Sequence, residues 1–392
     1  QLYFGTKKGY PDQYPVWSRR VAQDYPNQGV RIPYQEYLRK GVPVEHIVCR
    51  VPASALLPFS YVGEHVSDDV AVAILERVIQ SIELVKADGH VPGDWERRLA
   101  WLNDVLAEVW KGRGAFPGLG SVLKYLGFEK GTAYQREVLA PMARGGRNPW
   151  EHVLDILEGR TQAEEGRYKA GLLRARERWA VLKPRHALLA ELARFELSPD
   201  QVERIANSDL RTTSGIGATE AELVANPYII CERDLGTRDS SPVALETIDH
   251  GMRPEGDAAM FPDDDVVVQD DRRRVRAVAC AVLGEAGDNG DTVLPFSDLL
   301  DRITRRFPDR RPCRPDRNVM IAEAEFHREV LWTSFDSGTQ LVALKHLHDL
   351  ERFAAEVVKR RAPLTNQQRD RPVSWRAALE RHFGPPRTNR EE

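Results

Sequence analysis

The sequence lacks the features of membrane, secreted and zinc-binding proteins. It has no apolar run of about eighteen residues and no basic, apolar leader, so neither a membrane span nor a secretory signal is predicted. Its 4 cysteines lie far apart, without a Cys-x-x-Cys pair, and we interpret them as reduced structural thiols. We therefore expect a cytoplasmic protein without a membrane partner.

Catalytic signatures are also missing. The chain has no Gly-x-x-x-x-Gly-Lys-Ser/Thr phosphate loop, no His-Glu-x-x-His and no Gly-x-Ser-x-Gly. We therefore expect no ATP hydrolysis by this chain, and we assign it no catalytic residue, metal site or cofactor. Because residue 1 is glutamine rather than methionine, we expect a trimmed or internal piece of a longer protein.

The residues that are present predict a mainly α protein of several domains. A length of 392 residues suffices for roughly two to four domains, and apolar residues recur at helical spacing through most of the chain. The predicted units are a loop and strand segment (1–66), two helical domains with one helix-hairpin-helix motif each (67–160 and 161–265), a winged-helix-like α+β domain (266–345), and a helix and linker (346–392).

Helix boundaries are marked by capping residues. Ser67 is predicted to begin a helix that Gly89 ends, and a second helix is predicted from about Asp94 to Lys111. Pro, Gly and Asp cluster between Asp249 and Asp265, which predicts a loop between domains. Further helices are predicted at 150–157, 163–182, 186–195 and 199–206.

The order of elements changes after Arg272. We predict a helix, a short strand and two more helices, followed by a hairpin around the polar turn at 336–339. Three helices followed by a two-stranded hairpin are the layout of a winged helix. The predicted elements are helices at 272–285, 297–307 and 318–328, strands at 292–294, 330–335 and 340–345, and a final charged helix at 346–361.

Two Gly-x-Gly turns, at 116–120 and 213–217, are the most informative motifs. Paired glycines around an apolar residue allow positive φ, anchor the turn through the middle side chain and expose N–H groups that can hold a phosphate. We predict a helix-hairpin-helix at each turn, with Ala221 as the small residue that lets the second pair of helices pack closely. The candidate residues are Gly118, Leu119, Gly120, Ser121, Lys124, Gly215, Ile216, Gly217 and Thr219.

The two turns differ in the charges beside them. Ser121 and Lys124 suit a phosphate, so we favour the first turn as the DNA contact. Glu220 and Glu222 would repel one, and a purely structural role stays open for the second turn.

The densest basic stretch lies in the predicted winged helix, between residues 302 and 317. Clustered arginines release counterions from phosphates without reading sequence. A solvated loop whose arginines pair with local aspartates is the alternative interpretation. The candidate DNA contacts are Arg305, Arg306, Arg310 and Arg311.

Two acidic groups admit a metal-binding interpretation. Asp263, Asp270 and Asp271 flank an apolar run as in metal-dependent nucleases, but the expected lysine is absent and a solvated linker explains them more simply. The group at 64–69 is better explained by capping at Ser67 with acidic residues in the first turn.

The order of elements resembles the N-terminal, non-motor half of RecD-like superfamily 1 DNA helicases. The resemblance covers about half of the chain and is carried by Leu-Ser-Pro-Asp at 197–200, Gly-Ile-Gly at 215–217, Asn-Pro-Tyr at 226–228, the Arg-rich helix at Arg272 and Thr-Val-Leu-Pro at 292–295. In that family these regions precede two motor domains. The resemblance implies 5′ to 3′ translocation, with ATP and Mg²⁺ bound only by motor domains outside this chain.

The resemblance implies a DNA-binding accessory region that grips the phosphates of single-stranded or forked DNA without reading bases. The implied partners are DNA and motor domains of the same parent chain, and the implied role is DNA repair or phage defence in bacteria. Two other functions stay open, a helical protein-interaction scaffold and, less favoured, a metal-dependent nuclease.

Overall fold

The computed structural model describes residues 29–49, 67–163, 166–259 and 267–361. These residues are mainly α-helical, as predicted, with one small three-stranded antiparallel sheet. None of the helices in these ranges is long and apolar enough to cross a membrane. All 4 cysteines are free thiols, and Cys280 and Cys313 are buried.

The helices of the first half are α1 (Tyr34–Arg39), α2 (Asp68–Asp88), α3 (Trp95–Arg113), α4 (Leu119–Tyr125), α5 (Gly131–Tyr134), α6 (Ala140–Arg144), α7 (Pro149–Leu157), α8 (Lys169–Val181) and α9 (His186–Leu192). Those of the second half are α10 (Pro199–Ala206), α11 (Ser208–Thr213), α12 (Glu220–Ala225), α13 (Tyr228–Arg233), α14 (Leu245–Met252), α15 (Arg272–Asp288), α16 (Phe296–Arg306), α17 (Arg317–Ala322), α18 (Ala324–His327) and α19 (Lys345–Arg361). The strands are β1 (Val293–Pro295), β2 (Leu331–Asp336) and β3 (Thr339–Leu344).

Local capping explains where the best-predicted helices begin and end. The Ser67 hydroxyl accepts a hydrogen bond from the Val70 N–H at 3.3 Å, and Gly89 ends α2 with a φ of 64°. A capping box formed by Ser198 and Gln201 begins α10 at the predicted residue.

The part of residues 1–66 that the structure describes contains the predicted loops but a short helix in place of the predicted strands. Residues 34–39 form α1, and Tyr37 is buried against α2, where its hydroxyl donates to Asp88 at 3.0 Å. Tertiary burial of this aromatic residue therefore decided the local structure, while residues 1–28 and 50–66 lie outside the described residues.

The described residues form two hydrophobic cores. One joins Tyr37 and Ile47 to the paired helices α2 and α3. The other extends from Leu119 to Leu344 and includes residues of most helices between α4 and α17 and of the sheet. The boundary between the cores lies within the predicted domain 67–160. The predicted domains 161–265 and 266–345 share the second core among the residues that the structure describes.

The predicted loop beginning at Asp249 is partly helical. Helix α14 continues to Met252, and both Asp249 and His250 are buried in it. The prediction was wrong here because amino-acid composition does not show that Asp249 and His250 are buried among charged partners. The rest of the predicted loop, residues 260–266, lies outside the described range.

The C-terminal unit follows the predicted order of helices and strands. Its sheet order is β1-β3-β2, with Val293 opposite Ala343 and Leu331 opposite Leu344. The helix predicted at 318–328 is instead two short helices, α17 and α18. Helix α19 continues from β3 and has no buried residue within its described length.

Candidate nucleic-acid interface

The first glycine turn lies inside the protein. The Ser121 hydroxyl, proposed to suit a phosphate, donates to the carbonyl of Leu197 at 2.7 Å. Lys124 reaches the surface. The buried candidates at this turn are Gly118, Leu119, Gly120 and Ser121.

The N–H groups of the first turn are already used. The Gly118 N–H donates to the Ala193 carbonyl at 3.0 Å, and the Gly120 N–H donates to Oε1 of Gln135 at 2.5 Å. Gly118 has a φ of −83°, and neither glycine has a positive φ. The expectation of positive φ and exposed N–H groups is therefore wrong at this turn.

Close packing explains why glycine occupies these positions. A Cβ atom on Gly118 would lie 2.1 Å from the Phe195 carbonyl oxygen. A Cβ atom on Gly120 would lie 2.9 Å from Cα of Thr132, and one on Gly131 would lie 2.4 Å from the Gly120 carbonyl oxygen. The glycines thus allow α4 and α5 to cross closely.

The second turn has the predicted positive φ values, but two of its N–H groups are bound within the protein. The Gly215 N–H donates to the Thr212 carbonyl at 3.1 Å, and the Ile216 N–H donates to the Arg211 carbonyl at 3.2 Å. Gly215 and Gly217 are exposed with φ values of 90° and 57°, and the buried Ile216 anchors the turn in the core. The buried Arg211 side chain stabilises the turn by donating a hydrogen bond to the Ala218 carbonyl at 2.8 Å. Among the described residues, no acceptor pairs with the Gly217 N–H, which therefore remains available to a ligand.

The residues that follow the second turn have local partners. The Thr219 hydroxyl accepts from the Glu222 N–H at 3.3 Å, and Glu222 in turn accepts from the Thr219 N–H at 2.8 Å. The hydrogen bonds that the Glu222 carboxylate accepts from the Thr219 hydroxyl, at 2.7 Å, and from the Thr219 N–H lower the pKa of Glu222. Glu220 pairs with Arg185 at 3.1 Å, so its charge is largely compensated.

The helices that flank the second turn pack on other neighbours. Helix α11 packs on α10, whereas α12 packs on α9 and α13. Ala221 is exposed, so the prediction that it lets the flanking helices pack closely is wrong. The apolar side of α12 is instead provided by buried Leu223.

The arginine cluster divides between the interior and the surface. The side chain of Arg311 is only 2% exposed and that of Arg305 is 80% exposed, while those of Arg306 and Arg310 are 9% and 31% exposed. The exposed members that no carboxylate from a distant part of the described chain binds, which we call the outer arginines, are Arg302, Arg305, Arg314 and Arg317.

The inner arginines are held by carboxylates from distant parts of the chain. Arg306 pairs with Glu246 at 3.0 Å and with Glu285 at 2.8 Å. Arg311 pairs with Glu76 at 3.4 Å and with Asp249 at 3.1 Å. A guanidinium bound in this way has few donors left for a phosphate.

Arg310 is bound less tightly than the other two. It pairs with Glu255 at 3.1 Å and contacts Glu76 at 3.8 Å, and its side chain is 31% exposed. Its charge is therefore mostly compensated by these acidic neighbours.

Arg311 belongs to a buried network that joins the two cores. Asp69 on α2 accepts from Arg113 at 2.5 Å and lies 3.0 Å from Nδ1 of His250. Asp249 on α14 binds Arg274 on α15 at 2.7 Å. We call these residues, together with Glu76 and Arg311, the buried charge network.

The network sets the ionisation of its members. Burial alone lowers the pKa of His250, but hydrogen bonds to Asp69 and Glu76 outweigh it and raise the pKa above its usual value. Burial raises the pKa of Asp249, but the charges of Arg274 and Arg311 hold it well below its usual range. The charged forms of both residues are therefore favoured.

Sequence reasoning missed Asp249, His250 and Arg274. One usable signal was present, because Arg274 and Arg276 interrupt an otherwise apolar stretch of α15 and are fully buried. Arg276 binds Glu232 through two hydrogen bonds of 2.9 and 2.8 Å. Charged residues at buried helical positions indicate partners elsewhere in the chain.

Two of the acidic residues considered as metal ligands have structural partners. Asp271 caps α15 by accepting from the Arg273 N–H at 2.8 Å, and Asp69 belongs to the buried charge network. Glu64, His65 and Asp263 lie outside the described residues. No cluster of three or more potential metal ligands occurs within the described ranges.

Apolar side chains share the surface with the outer arginines. Val319 and Ile321 on α17 are about half exposed, and Phe335 at the end of β2 is 75% exposed. The exposed side of the C-terminal unit is therefore partly apolar and only partly basic.

Comparison with known proteins does not assign this chain to a family. No protein-family model, curated protein or solved structure matches it. Its function is therefore inferred from the side chains and elements described above.

Proposed function

We propose that this chain is the DNA-binding accessory region of a RecD-like DNA helicase and grips phosphates without reading bases. The supporting observation is the order of elements from α15 to β3, with the sheet order β1-β3-β2. This order supports a winged helix, a fold whose third helix and wing generally face the duplex. Arg314 and Arg317 lie before and at the start of the corresponding helix, α17.

The second glycine turn is proposed as another backbone contact, in place of the first. Its support is the exposed Gly217 N–H and the pairing of Glu220 with Arg185. Glu222 remains close to the turn and limits how tightly a phosphate binds there. The first turn, by contrast, has its N–H groups bound within the protein.

The proposed mechanism is positional. The outer arginines and the second turn hold a duplex or a fork junction, while motor domains outside this chain pull one strand and use ATP. Each arginine bound to a phosphate releases counterions, so the affinity should fall steeply as salt rises.

Fluorescence anisotropy with single-stranded, duplex and forked DNA at several salt concentrations tests this proposal. We expect binding to each DNA at low salt, with an affinity that falls linearly in a plot of log affinity against log salt and that, for duplex DNA, is independent of sequence. Absence of DNA binding at low salt would refute the proposal.

A protein-interaction scaffold is the second candidate function. It is favoured by exposed apolar side chains on α17 and on α19, where Leu350, Phe353 and Val358 are each more than half exposed. A scaffold without DNA binding would show no salt-dependent anisotropy change in the same titration, so one experiment separates the two functions.

A further inference from the structure

A cleft separate from the proposed contacts opens between α7, α9 and α14. Its volume is about 850 Å³, within the usual range for sites that hold a small molecule or one nucleotide. Phe116, the first residue of the first glycine turn, forms part of the wall of this cleft.

Two aromatic rings form one wall of the cleft. The rings of Phe116 and Trp150 have centroids 6.4 Å apart and are tilted by 30°. Both side chains are half-buried, and Trp179 supports Trp150 through an edge contact at 6.1 Å. Partly exposed aromatic faces held in this way are suited to stacking against a base.

Most of the charges that line the cleft are paired. Arg194 binds both carboxylate oxygens of Glu191 at 3.1 Å, and Asp155 pairs with Arg160 at 3.0 Å. These pairs leave little net charge on that side of the cleft.

Two lining residues of opposite charge are available to a ligand. Arg147 and Glu151 are exposed, and neither side chain has an ion-pair partner among the residues that the structure describes. Gly146, next to Arg147, faces open space. The cleft thus combines an aromatic wall with one cation and one carboxylate.

We propose that this cleft binds one unpaired nucleotide, with its base against Phe116 and Trp150 and its phosphate on Arg147. Glu151 accepts hydrogen bonds from the edge of the base. Guanine fits best because its N1–H and amino group offer two adjacent donors to one carboxylate, whereas thymine offers one. The inference rests on the proposed DNA function, which it deepens by naming an unpaired base as the ligand.

Anisotropy with abasic strands that carry a single guanine, a single thymine or no base tests the proposal. We expect the guanine strand to bind at least about five-fold more tightly than the base-free strand, as stacking of one base requires. Trp150→Leu should abolish this difference, and Glu151→Gln should abolish the preference for guanine over thymine while binding of both bases persists.

Variants of two exposed arginines separate the phosphate contact from general charge. Arg147→Gln should weaken all three strands equally, because it removes a phosphate contact, whereas Arg144→Gln, outside the cleft, should leave them unchanged. Circular dichroism checks that Trp150→Leu is folded. Because Glu151 is exposed, Glu151→Gln provides the same test without altering the core.

Two outcomes distinguish a failure of this proposal from a failure of the proposed function. Equal, salt-dependent affinity for the guanine and base-free strands would overturn the cleft proposal alone. If no strand binds, the DNA function fails, and calorimetric titration with deoxyguanosine monophosphate decides the cleft. Heat of binding that Trp150→Leu abolishes would support the cleft, and absence of heat would overturn it.

Discussion

The two Gly-x-Gly turns share a sequence pattern but differ in backbone geometry and in exposure to solvent. In the first, Gly118 and Gly120 have no positive φ and lie against neighbouring backbone, with their N–H groups bound. In the second, Gly215 and Gly217 have positive φ and lie at the surface. The motif alone therefore does not predict whether its glycines lie in the interior or at the surface.

The arginine cluster shows the same division between interior and surface. Arg311 is enclosed by carboxylates, and Arg305 extends into solvent with only Asp301 nearby at 3.6 Å. Both belong to one basic stretch of the sequence, yet Arg311 lies in the interior and Arg305 is exposed to solvent. Because of this division, we expect replacement of Arg311 to lower stability, and we expect replacement of the outer arginines to weaken DNA binding.

The largest expected effect comes from the interior arginine. Arg311→Leu should lower the free energy of unfolding by about 3–5 kcal/mol, because it leaves Glu76 and Asp249 buried without their partner. Arg305→Ala should change it by less than about 0.5 kcal/mol, as is usual at the surface. Urea unfolding of both variants measures this comparison, and equal effects would contradict the division.

The glycine turns are expected to differ next. Gly118→Ala should lower the free energy of unfolding by about 3 kcal/mol, since its Cβ would clash with the backbone of Phe195. Gly217→Ala makes only an ordinary contact, 3.8 Å from the Gly215 carbonyl oxygen, and costs the strain of its positive φ, about 1 kcal/mol. Similar losses in thermal or urea unfolding would refute the two roles assigned to the turns.

The buried charge network predicts a smaller, pH-dependent effect. The pKa of folded His250 is raised above its usual value, so its charged form contributes fully below the unfolded pKa and loses that contribution as pH rises through the folded pKa. His250→Gln should therefore lower the free energy of unfolding by about 1–3 kcal/mol at acidic to neutral pH and by less in alkali.

Urea unfolding across this pH range measures the gap between wild type and His250→Gln. His346, exposed at the start of α19, provides the matched control His346→Gln outside the network. A gap that stays constant or widens as pH rises would show that charge on His250 does not stabilise the fold.

Local signals in the sequence predicted much of the fold. Ser67 and Gly89 marked helix boundaries, and the polar turn before Thr339 marked the hairpin. These signals act over a few residues, so they can be recognised without the tertiary structure.

The sequence could not predict contacts between distant residues. The first turn is buried because residues near Phe195 pack on Gly118, and Arg311 is buried because Glu76, 235 residues away, pairs with it. Neither a glycine nor an arginine carries a sign of such partners in its immediate neighbours. The interior positions of Gly118 and Arg311 therefore could not be predicted from the sequence.

The salt dependence of DNA binding by an outer-arginine variant tests the central claim most directly. We compare wild type with Arg302→Ala/Arg305→Ala/Arg314→Ala, and with a control of equal charge that alters the exposed residues Arg97, Arg144 and Arg174. In duplex DNA, the slope of log affinity against log salt should become less steep by about 0.9 for each phosphate that the variant no longer binds. The control should keep the wild-type slope. An unchanged slope in the outer-arginine variant would contradict the proposed DNA-binding surface.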